Sequence, residues 1–363
     1  MNINDKVNSL TEDHGFYTPI NLINKLDTDK GYFIGISLGS RSVGKTTGFA
    51  IYLLLDFLYN KHRFIYMRDT KDTLDITAPA YFDNAINILN INGIKIEKFE
   101  YQSNTYKING EICGYGVPLS TTQKFKSVNF STPDSPLRTI IFDEFIAENN
   151  RYTKACADKL VSFYTTAARG IDKAYDNDVK LIMIANNVNK FFNPYFLHMG
   201  VDRYIGRDNR TKWIKPKEAY WCVELTNEVE ATKQVAKSNA FRFASDLYKE
   251  QAFRNQSGAD QTFIEKIKEP SRPLYNIKFD NKFYQVNEII KNNVLYIEPG
   301  KNEAAEVYTL TLADHSINTT YVPMYRNSLL LSVLLDRFNR GYLYFRNLDC
   351  KYMFLFLCNL LDS

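Results

Sequence analysis

One short motif constrains this chain more than any other feature of its sequence. Residues 39–46 read GSRSVGKT and match the phosphate-loop pattern G-x-x-x-x-G-K-[ST] at every fixed position. An apolar run at residues 32–38 precedes the motif, and a segment of helical character at residues 47–59 follows it. A strand, a glycine loop and a helix in this order present backbone N–H groups to a polyphosphate. Nucleotide binding is therefore predicted; the alternative is a Gly- and Ser-rich turn that matches by chance.

The residues of this motif have separate expected roles. Lys45 is expected to reach the β- and γ-phosphates, the Thr46 hydroxyl to coordinate Mg²⁺, and Arg41 to add a second positive charge. The predicted nucleotide-binding residues are Gly39, Ser40, Arg41, Ser42, Val43, Gly44, Lys45, Thr46 and Thr47. The expected cofactors are ATP and Mg²⁺.

Size, charge and cysteine content narrow the class of protein. A chain of 363 residues suits about two domains, and a net charge of +4 gives no global basic field, so a polyanion must be met by local patches. The five cysteines are widely spaced, which indicates free thiols rather than a zinc site. Neither a signal-peptide core nor an apolar run long enough to span a bilayer is found in the sequence. A cytosolic protein without a membrane contact is expected.

Strands and helices are predicted to alternate through the first half of the chain. Residues 1–15 are interpreted as a loose polar arm, residues 73–90 and 154–168 as helices, and Asn109-Gly110 as a hairpin turn. The apolar runs that predict strands lie at residues 64–67, 106–108, 111–115, 139–142 and 180–185. This alternation predicts an α/β fold with a mostly parallel sheet.

Beyond about residue 194 the alternation fades. A long charged helix is predicted at residues 227–256, and a helix at residues 323–340 follows a series of short strands. Those strands are predicted at residues 274–279, 283–286, 294–297 and 307–310. The predicted organisation is a phosphate-loop ATPase domain at residues 1–205, a linker subdomain at residues 206–258 and a small α+β domain at residues 259–363.

Two acids follow the apolar run at residues 139–142. Asp143 is expected to hold Mg²⁺, and Glu144 to orient and polarise the attacking water. Any strand can end in acids, but a phosphate loop upstream favours the catalytic interpretation. Asn186 ends the next predicted strand, where its amide can contact the γ-phosphate or the lytic water; ordinary capping of a strand end is the alternative.

Several cations are candidates for a motor function. Arg169, between the helix at residues 154–168 and the next strand, is a candidate arginine finger, with a solvated surface arginine as the alternative. Lys71, Lys124 and Lys126 are candidates for contacts with nucleic-acid phosphates, although isolated lysines are usually solvated. In the terminal domain, the acids Asp280, Glu298 and Asp336 do not form the convergent set that a two-metal nuclease needs.

An ordered series of motifs identifies a family. The motifs are FYTP from Phe16, GSRSVGKT, FIYMR, NGEICGYGVPLS, TIIFDEF, IANNVNKFFNPYF, FIEK from Phe263, VYTLT from Val307 and RFNRGYLYF from Arg337. With them the chain resembles the genome-packaging ATPases, or encapsidation proteins, of the small protein-primed tailed phages of the φ29 type. These are relatives of terminase large subunits.

The resemblance implies an additional-strand, catalytic-glutamate (ASCE) ATPase domain joined to a vestigial RNase H-like domain that binds nucleic acid or the portal. It implies a homomeric ring, a pentamer in the family, that works in the host cytoplasm and transiently on the portal of a procapsid to drive double-stranded DNA inward. Whether a packaging RNA serves as scaffold is left open. On matching positions Arg169 is a finger acting on the neighbouring subunit, Lys126 takes part in subunit communication and Lys71 faces DNA. A basic residue of the family is Ala147 here, which puts part of the intersubunit scheme in doubt.

Two other functions stay open at this point. One is a terminase-like motor whose terminal domain also cuts DNA. The other is a nucleotide-gated structural adaptor on the portal that does not hydrolyse ATP, against which the intact pair Asp143 and Glu144 argues.

Overall fold

The structure, a computed structural model, describes residues 2–29, 31–39, 43–147, 152–169, 178–186, 193–201, 204, 212–226, 263–322 and 329–362. The chain divides into two compact units, Met1–Gly258 and Ala259–Ser363. Within the described residues, no helix combines the length and the apolar character that crossing a bilayer requires.

The first unit contains the elements predicted around the phosphate loop. Its described helices are α1 (Ile3–Glu12), α2 (Ile20–Thr28), α3 (Lys45–Asn60), α4 (Lys71–Thr77), α5 (Asp83–Ile91), α6 (Cys156–Ala167) and α7 (Pro194–Met199), with a 3-10 helix at Leu119–Phe125. Its strands are β1 (Ile34–Gly39), β2 (Arg63–Arg68), β3 (Phe99–Gln102), β4 (Thr105–Ile108), β5 (Glu111–Pro118), β6 (Leu137–Asp143), β7 (Lys180–Asn186), β8 (Trp213–Ile214) and β9 (Trp221–Thr226).

These strands form one nine-stranded sheet in the order β3-β4-β5-β2-β6-β7-β1-β9-β8. The six strands from β5 to β9 in this order are parallel to one another, and β3, β4 and β8 add antiparallel edges. The α/β fold with a mostly parallel sheet is thereby confirmed. Strand β7 lies between β1 and β6, as expected of a sheet with an additional strand.

Helices cover both faces of this sheet, which explains why its central strands are apolar on both sides. One core packs α1, α2, α3 and α5 on one face, and a second core packs α6 and α7 on the other. All six residues of β1 and all six of β9 are buried. Because neighbouring strands run parallel, the carboxyl ends of β1, β2, β6 and β7 lie at one edge of the sheet.

Two local predictions in the first unit were wrong. Residues 1–15 are not a loose arm, because Ile3, Val7 and Leu10 share one helical face that packs into the core formed with α3. The helix predicted at residues 73–90 is two helices, α4 and α5, since Pro79 cannot continue a helix.

The hairpin predicted at Asn109-Gly110 is confirmed, with φ of 50° and 86° at the two turn residues.

The predicted linker subdomain also needs correction. Strand β9 pairs in parallel with β1 over its whole length, so residues 212–226 belong to the sheet of the first unit. The sequence pattern fades here because α7, the last described helix before β9, has only six residues. The helix predicted at residues 227–256 lies outside the described residues.

The second unit is an α+β structure. Its strands are β10 (Ser271–Phe279), β11 (Lys282–Ile289), β12 (Val294–Pro299), β13 (Val307–Thr309), β14 (Thr320–Tyr321) and β15 (Leu343–Phe345), and its described helices are α8 (Leu329–Asn339) and α9 (Leu348–Asp362). The sheet has the order β14-β13-β10-β11-β12-β15, with an antiparallel β10-β11-β12 meander and parallel pairs on either side. The four predicted short strands all occur.

Candidate active site

The phosphate loop joins β1 to α3. Gly39 ends β1 and Gly44 immediately precedes α3, while Ser40, Arg41 and Ser42 lie outside the described residues. Gly44 has φ of 82°, and a Cβ atom there would lie 2.7 Å from Cβ of Phe16. Both the left-handed conformation and the close packing therefore require glycine at this position.

The other end of the loop is equally crowded. A Cβ atom at Gly39 would lie 1.5 Å from Oγ1 of Thr226, the last residue of β9. The Thr226 hydroxyl donates a hydrogen bond of 3.1 Å to the Leu38 carbonyl oxygen. Gly39 and Gly44, the two glycines of the motif, thus each accommodate a contact from a different part of the chain.

Lys45 occupies the first turn of α3 and is only 5% exposed. Burial lowers the pKa of its ammonium group to about 7, and the carboxylate of Asp143 opposes this shift. The negative charge of a polyphosphate placed at the helix N-terminus restores the charged form. Thr46 is exposed beside Lys45, and Val43 and Thr47 complete the described part of the loop.

Asp143 is the last residue of β6 and is 6% exposed. Burial raises the pKa of its carboxyl group to about 6, with Glu144 adding to the rise and Arg68 opposing it. A divalent cation at this position favours the ionised form. A carboxylate together with the Thr46 hydroxyl is a donor set that suits Mg²⁺, so these residues fit the expected metal role.

Glu144 adopts a backbone conformation that is unusual for its residue type. Its φ is 51°, in the left-handed region, and its backbone N–H donates to Oδ1 of Asp143 at 3.1 Å. Its side chain is 57% exposed. Strained backbone of this kind costs about 1–3 kcal/mol and clusters at functional sites. The turn separates the two acids, since Asp143 stays buried while Glu144 projects toward solvent.

Arg68 is a member of the site that sequence reasoning missed. It ends β2 and is 8% exposed; its Nη1 lies 3.3 Å from Oδ2 of Asp143, and its Nη2 donates to Oε2 of Glu144. One guanidinium therefore contacts both acids. The available signal was its position at the end of the predicted strand FIYM, since parallel strands deliver their last residues to the same edge.

Asn186 lies at this edge as well. It ends β7, the strand between β1 and β6, and it is the register partner of Gly39. The structure thus brings together Gly39, Lys45, Asp143 and Glu144 with Asn186, as expected. The contact of the Asn186 side chain with the γ-phosphate or the attacking water stays a prediction.

Arg169 lies at the opposite edge of the sheet. Ahead of α6, Thr153 donates to Asp69 beside the carboxyl end of β2, at 3.0 Å. Near the end of α6, the Tyr164 hydroxyl donates to the Val179 carbonyl oxygen at 2.7 Å, just before β7 begins. A helix of 12 residues spans about 18 Å, so the exposed Arg169 is carried away from the phosphate loop of its own chain.

The three lysines are exposed, and Lys71 lies next to the carboxyl edge, three residues after the end of β2. Lys71 is the first residue of α4; its side chain is 63% exposed and lies 3.9 Å from the Asp75 carboxylate. Lys124 and Lys126 are exposed at the end of the 3-10 helix that follows β5. The Ser120 N–H donates to the Asp69 carbonyl oxygen at 2.9 Å, which holds this helix beside the segment that leads to Lys71.

In the second unit, the three acids considered for nuclease chemistry occupy separate elements. Asp280 lies in the β10–β11 turn, where its N–H donates to Asp314 at 2.9 Å. Glu298 on β12 accepts a hydrogen bond of 3.0 Å from Asn287, and Asp336 on α8 pairs with Arg340 at 2.8 Å. Among the residues described, no group of three or more His, Cys, Asp or Glu side chains is arranged to hold a metal ion.

Comparison with known proteins gives a consistent result. The DNA packaging protein of Bacillus phage phi29 is 26% identical over 337 residues, covering 92% of this chain and 93% of that protein. A solved structure of the bacteriophage Phi-29 viral genome packaging motor assembly has the same fold, with a TM-score of 0.62 at 22% identity, covering 96% of this chain and 99% of that one. The structure of the Phi-28 gp11 DNA packaging motor gives a TM-score of 0.56 at 19% identity, covering 96% of this chain and 98% of that one. The Podovirus DNA encapsidation protein (Gp16) family matches residues 12–358, and the chain belongs to this family.

Proposed function

We propose that this protein is an ATP-driven motor that translocates double-stranded viral DNA into a procapsid as a homomeric ring. The observation that carries the proposal is the convergence of Lys45, Asp143 and Glu144 at one edge of a parallel sheet, in a chain of the encapsidation family. Double-stranded DNA, the portal and further copies of the same chain are the proposed partners. The site of action is the host cytoplasm and, transiently, the procapsid.

Each residue of the site has a separate role in the proposed hydrolysis step. Lys45 and the loop N–H groups would bind the phosphates, and Thr46 and Asp143 would hold Mg²⁺, which would supply positive charge to the phosphates. Glu144 orients the attacking water and accepts its proton. Its exposed side chain faces the solvent from which that water comes.

In the conformation observed, Arg68 restrains Glu144. The contact between Arg68 Nη2 and Glu144 Oε2 engages the carboxylate that must receive a proton from water. Lys71 begins α4 three residues after Arg68, so DNA bound at Lys71 is positioned to shift Arg68. In the proposed mechanism, DNA contact at Lys71 releases Glu144, the proposed catalytic base, from Arg68.

Replacing Arg68 by alanine is therefore expected to reduce the stimulation of ATP hydrolysis by DNA to nearly onefold. The restraint on Glu144 is absent in that variant whether or not DNA is bound. Steady-state phosphate release with and without DNA measures the ratio. Arg63→Ala removes an arginine from the other end of β2 and is the matched control. An unchanged ratio in Arg68→Ala would contradict the restraint.

The second unit has a proposed role in binding nucleic acid or the portal as a vestigial RNase H-like domain. Its mixed six-stranded sheet and its two described helices support that assignment. The domain limits proposed are an ATPase domain that extends through β9 to Thr226, a connecting segment, and the terminal domain from residue 259. A packaging RNA as scaffold stays open.

Phosphate release measured with double-stranded DNA over a range of salt concentrations tests the proposed function. Hydrolysis is expected to rise on addition of DNA, and the stimulation is expected to fall steeply with salt, because phosphate contacts release counterions. Lys45→Ala is expected to abolish hydrolysis. Wild-type protein that assembles on a portal but releases no phosphate would instead identify a structural adaptor. Linearisation of a plasmid in Mn²⁺ would identify an active nuclease.

A further inference from the structure

The segment Phe16-Tyr17 supports the phosphate loop. The Tyr17 N–H donates to the Val43 carbonyl oxygen at 2.8 Å, and the Phe16 side chain packs against Gly44. A Cβ atom at Gly48, in the first turn of α3, would lie 2.5 Å from the Tyr17 carbonyl oxygen. The loop and the start of α3 are therefore packed against this dipeptide at three points.

Tyr17 is also hydrogen-bonded to β9, the strand that pairs with β1 on the side away from β7. Its hydroxyl donates a hydrogen bond of 2.5 Å to Oε2 of Glu224. Glu224 lies on β9, is the register partner of Ser37 on β1, and has no exposed surface. Lys212 reaches this carboxylate from a half-exposed position, with Nζ 3.3 Å from Oε1. A buried carboxylate is tolerated only with such partners.

The same strand β9 supports the opposite end of the loop. Its last residue, Thr226, touches Gly39, as described above. The loop thus rests on Phe16-Tyr17 at Gly44 and on β9 at Gly39. The hydrogen bond from Tyr17 to Glu224 joins these two supports directly.

We propose that Tyr17 and Glu224 are positioning residues of the nucleotide site, whose hydrogen bond holds the phosphate loop in the shape that receives ATP. This inference rests on the proposed ATP-binding function. Without the bond, the two supports move independently and the loop spends less time in its binding shape. The apparent affinity for ATP then falls in proportion to the fraction of molecules whose loop is in the binding shape. The catalytic step, which depends on Glu144 after β6 and on Arg169 after α6, is unaffected once ATP is bound.

The test compares two tyrosine-to-phenylalanine variants of the full-length protein. Tyr17→Phe removes the bond to Glu224. Tyr32→Phe removes a hydrogen bond of 3.2 Å to the Pro216 carbonyl oxygen, which joins the start of β1 to the chain before β9 at the other edge of the sheet. Tyr17→Phe is expected to raise both the Kd for a fluorescent ATP analogue and the KM by about tenfold with little change in kcat. Tyr32→Phe is expected to lower the Tm without changing either constant.

Two substitutions at Glu224 complete the test. Glu224→Gln keeps an acceptor for the Tyr17 hydroxyl and is expected to retain affinity close to that of the wild type. Glu224→Leu removes the acceptor without leaving a buried charge and is expected to match Tyr17→Phe, which provides the measurement if Tyr17→Phe fails to fold. Unchanged Kd in Tyr17→Phe and Glu224→Leu, or an equal loss in Tyr32→Phe, would overturn the proposal. Because Kd is measured directly, a wild-type protein that binds ATP without hydrolysing it would reject the motor function and leave this comparison intact.

Discussion

Replacing Glu144 by glutamine is expected to lower kcat for ATP hydrolysis by about 10²–10⁴-fold, because a glutamine cannot accept the proton of the attacking water. The KM for ATP is expected to change little, since Glu144 is exposed and is distinct from the buried Lys45 and Asp143, the residues proposed to hold the nucleotide and the metal. Single-turnover phosphate release, together with ATP binding, separates the two effects. Glu111→Gln, which alters an exposed carboxylate paired with Lys61, is the control.

The backbone at Glu144 adds a second measurement to this prediction. Glycine adopts φ of 51° without strain, so Glu144→Gly is expected to be more stable than Glu144→Gln by about 1 kcal/mol while being equally inactive. Denaturant titration of the two variants measures the difference. A Glu144→Gln protein with near-normal kcat would remove Glu144 from the chemistry altogether.

The parts of the site that the sequence predicts are those with a local signature. The phosphate loop carries its own glycine spacing, and the run TIIF before Asp143 is a buried parallel strand with acids at its end. In both cases the chemistry lies within a few residues of the pattern that places it. Asn186 was found in the same way, since it ends the next strand.

The parts that could not be predicted depend on contacts between distant segments. Arg68 meets Glu144 76 residues later, and Tyr17 meets Glu224 207 residues later. The position of Arg68 at a strand end indicates the edge of the sheet but not the acids that it contacts, and the residues around Tyr17 do not indicate its partner. The sequence pattern misplaces β9 in a linker for a related reason, because the position of β9 beside β1 is set by strand pairing across the sheet. Long-range pairing, rather than weak local propensity, is what the sequence pattern leaves out.

Arg169→Ala is expected to lower kcat by about 10³–10⁵-fold, the contribution of an arginine finger to phosphoryl transfer. The position of Arg169 determines how that loss can be recovered. Since α6 carries it to the amino edge of the sheet, it cannot serve the phosphate loop of its own chain without refolding of that helix. It is therefore expected to complete the site of the next subunit in a ring, where it neutralises charge on the γ-phosphate.

Mixing Arg169→Ala subunits with Glu144→Gln subunits tests this arrangement. An Arg169→Ala subunit keeps its own Glu144, and a Glu144→Gln neighbour supplies the missing arginine, so each such interface is complete although neither parent is active. Activity is expected to be greatest at equal amounts, because the number of complete interfaces follows the product of the two fractions. Arg138→Ala, which removes another arginine from the amino edge, is the control and is expected to keep wild-type kcat. Intact rings that recover no activity at any ratio would contradict the assignment of Arg169 to the neighbouring site and would require another catalytic arginine.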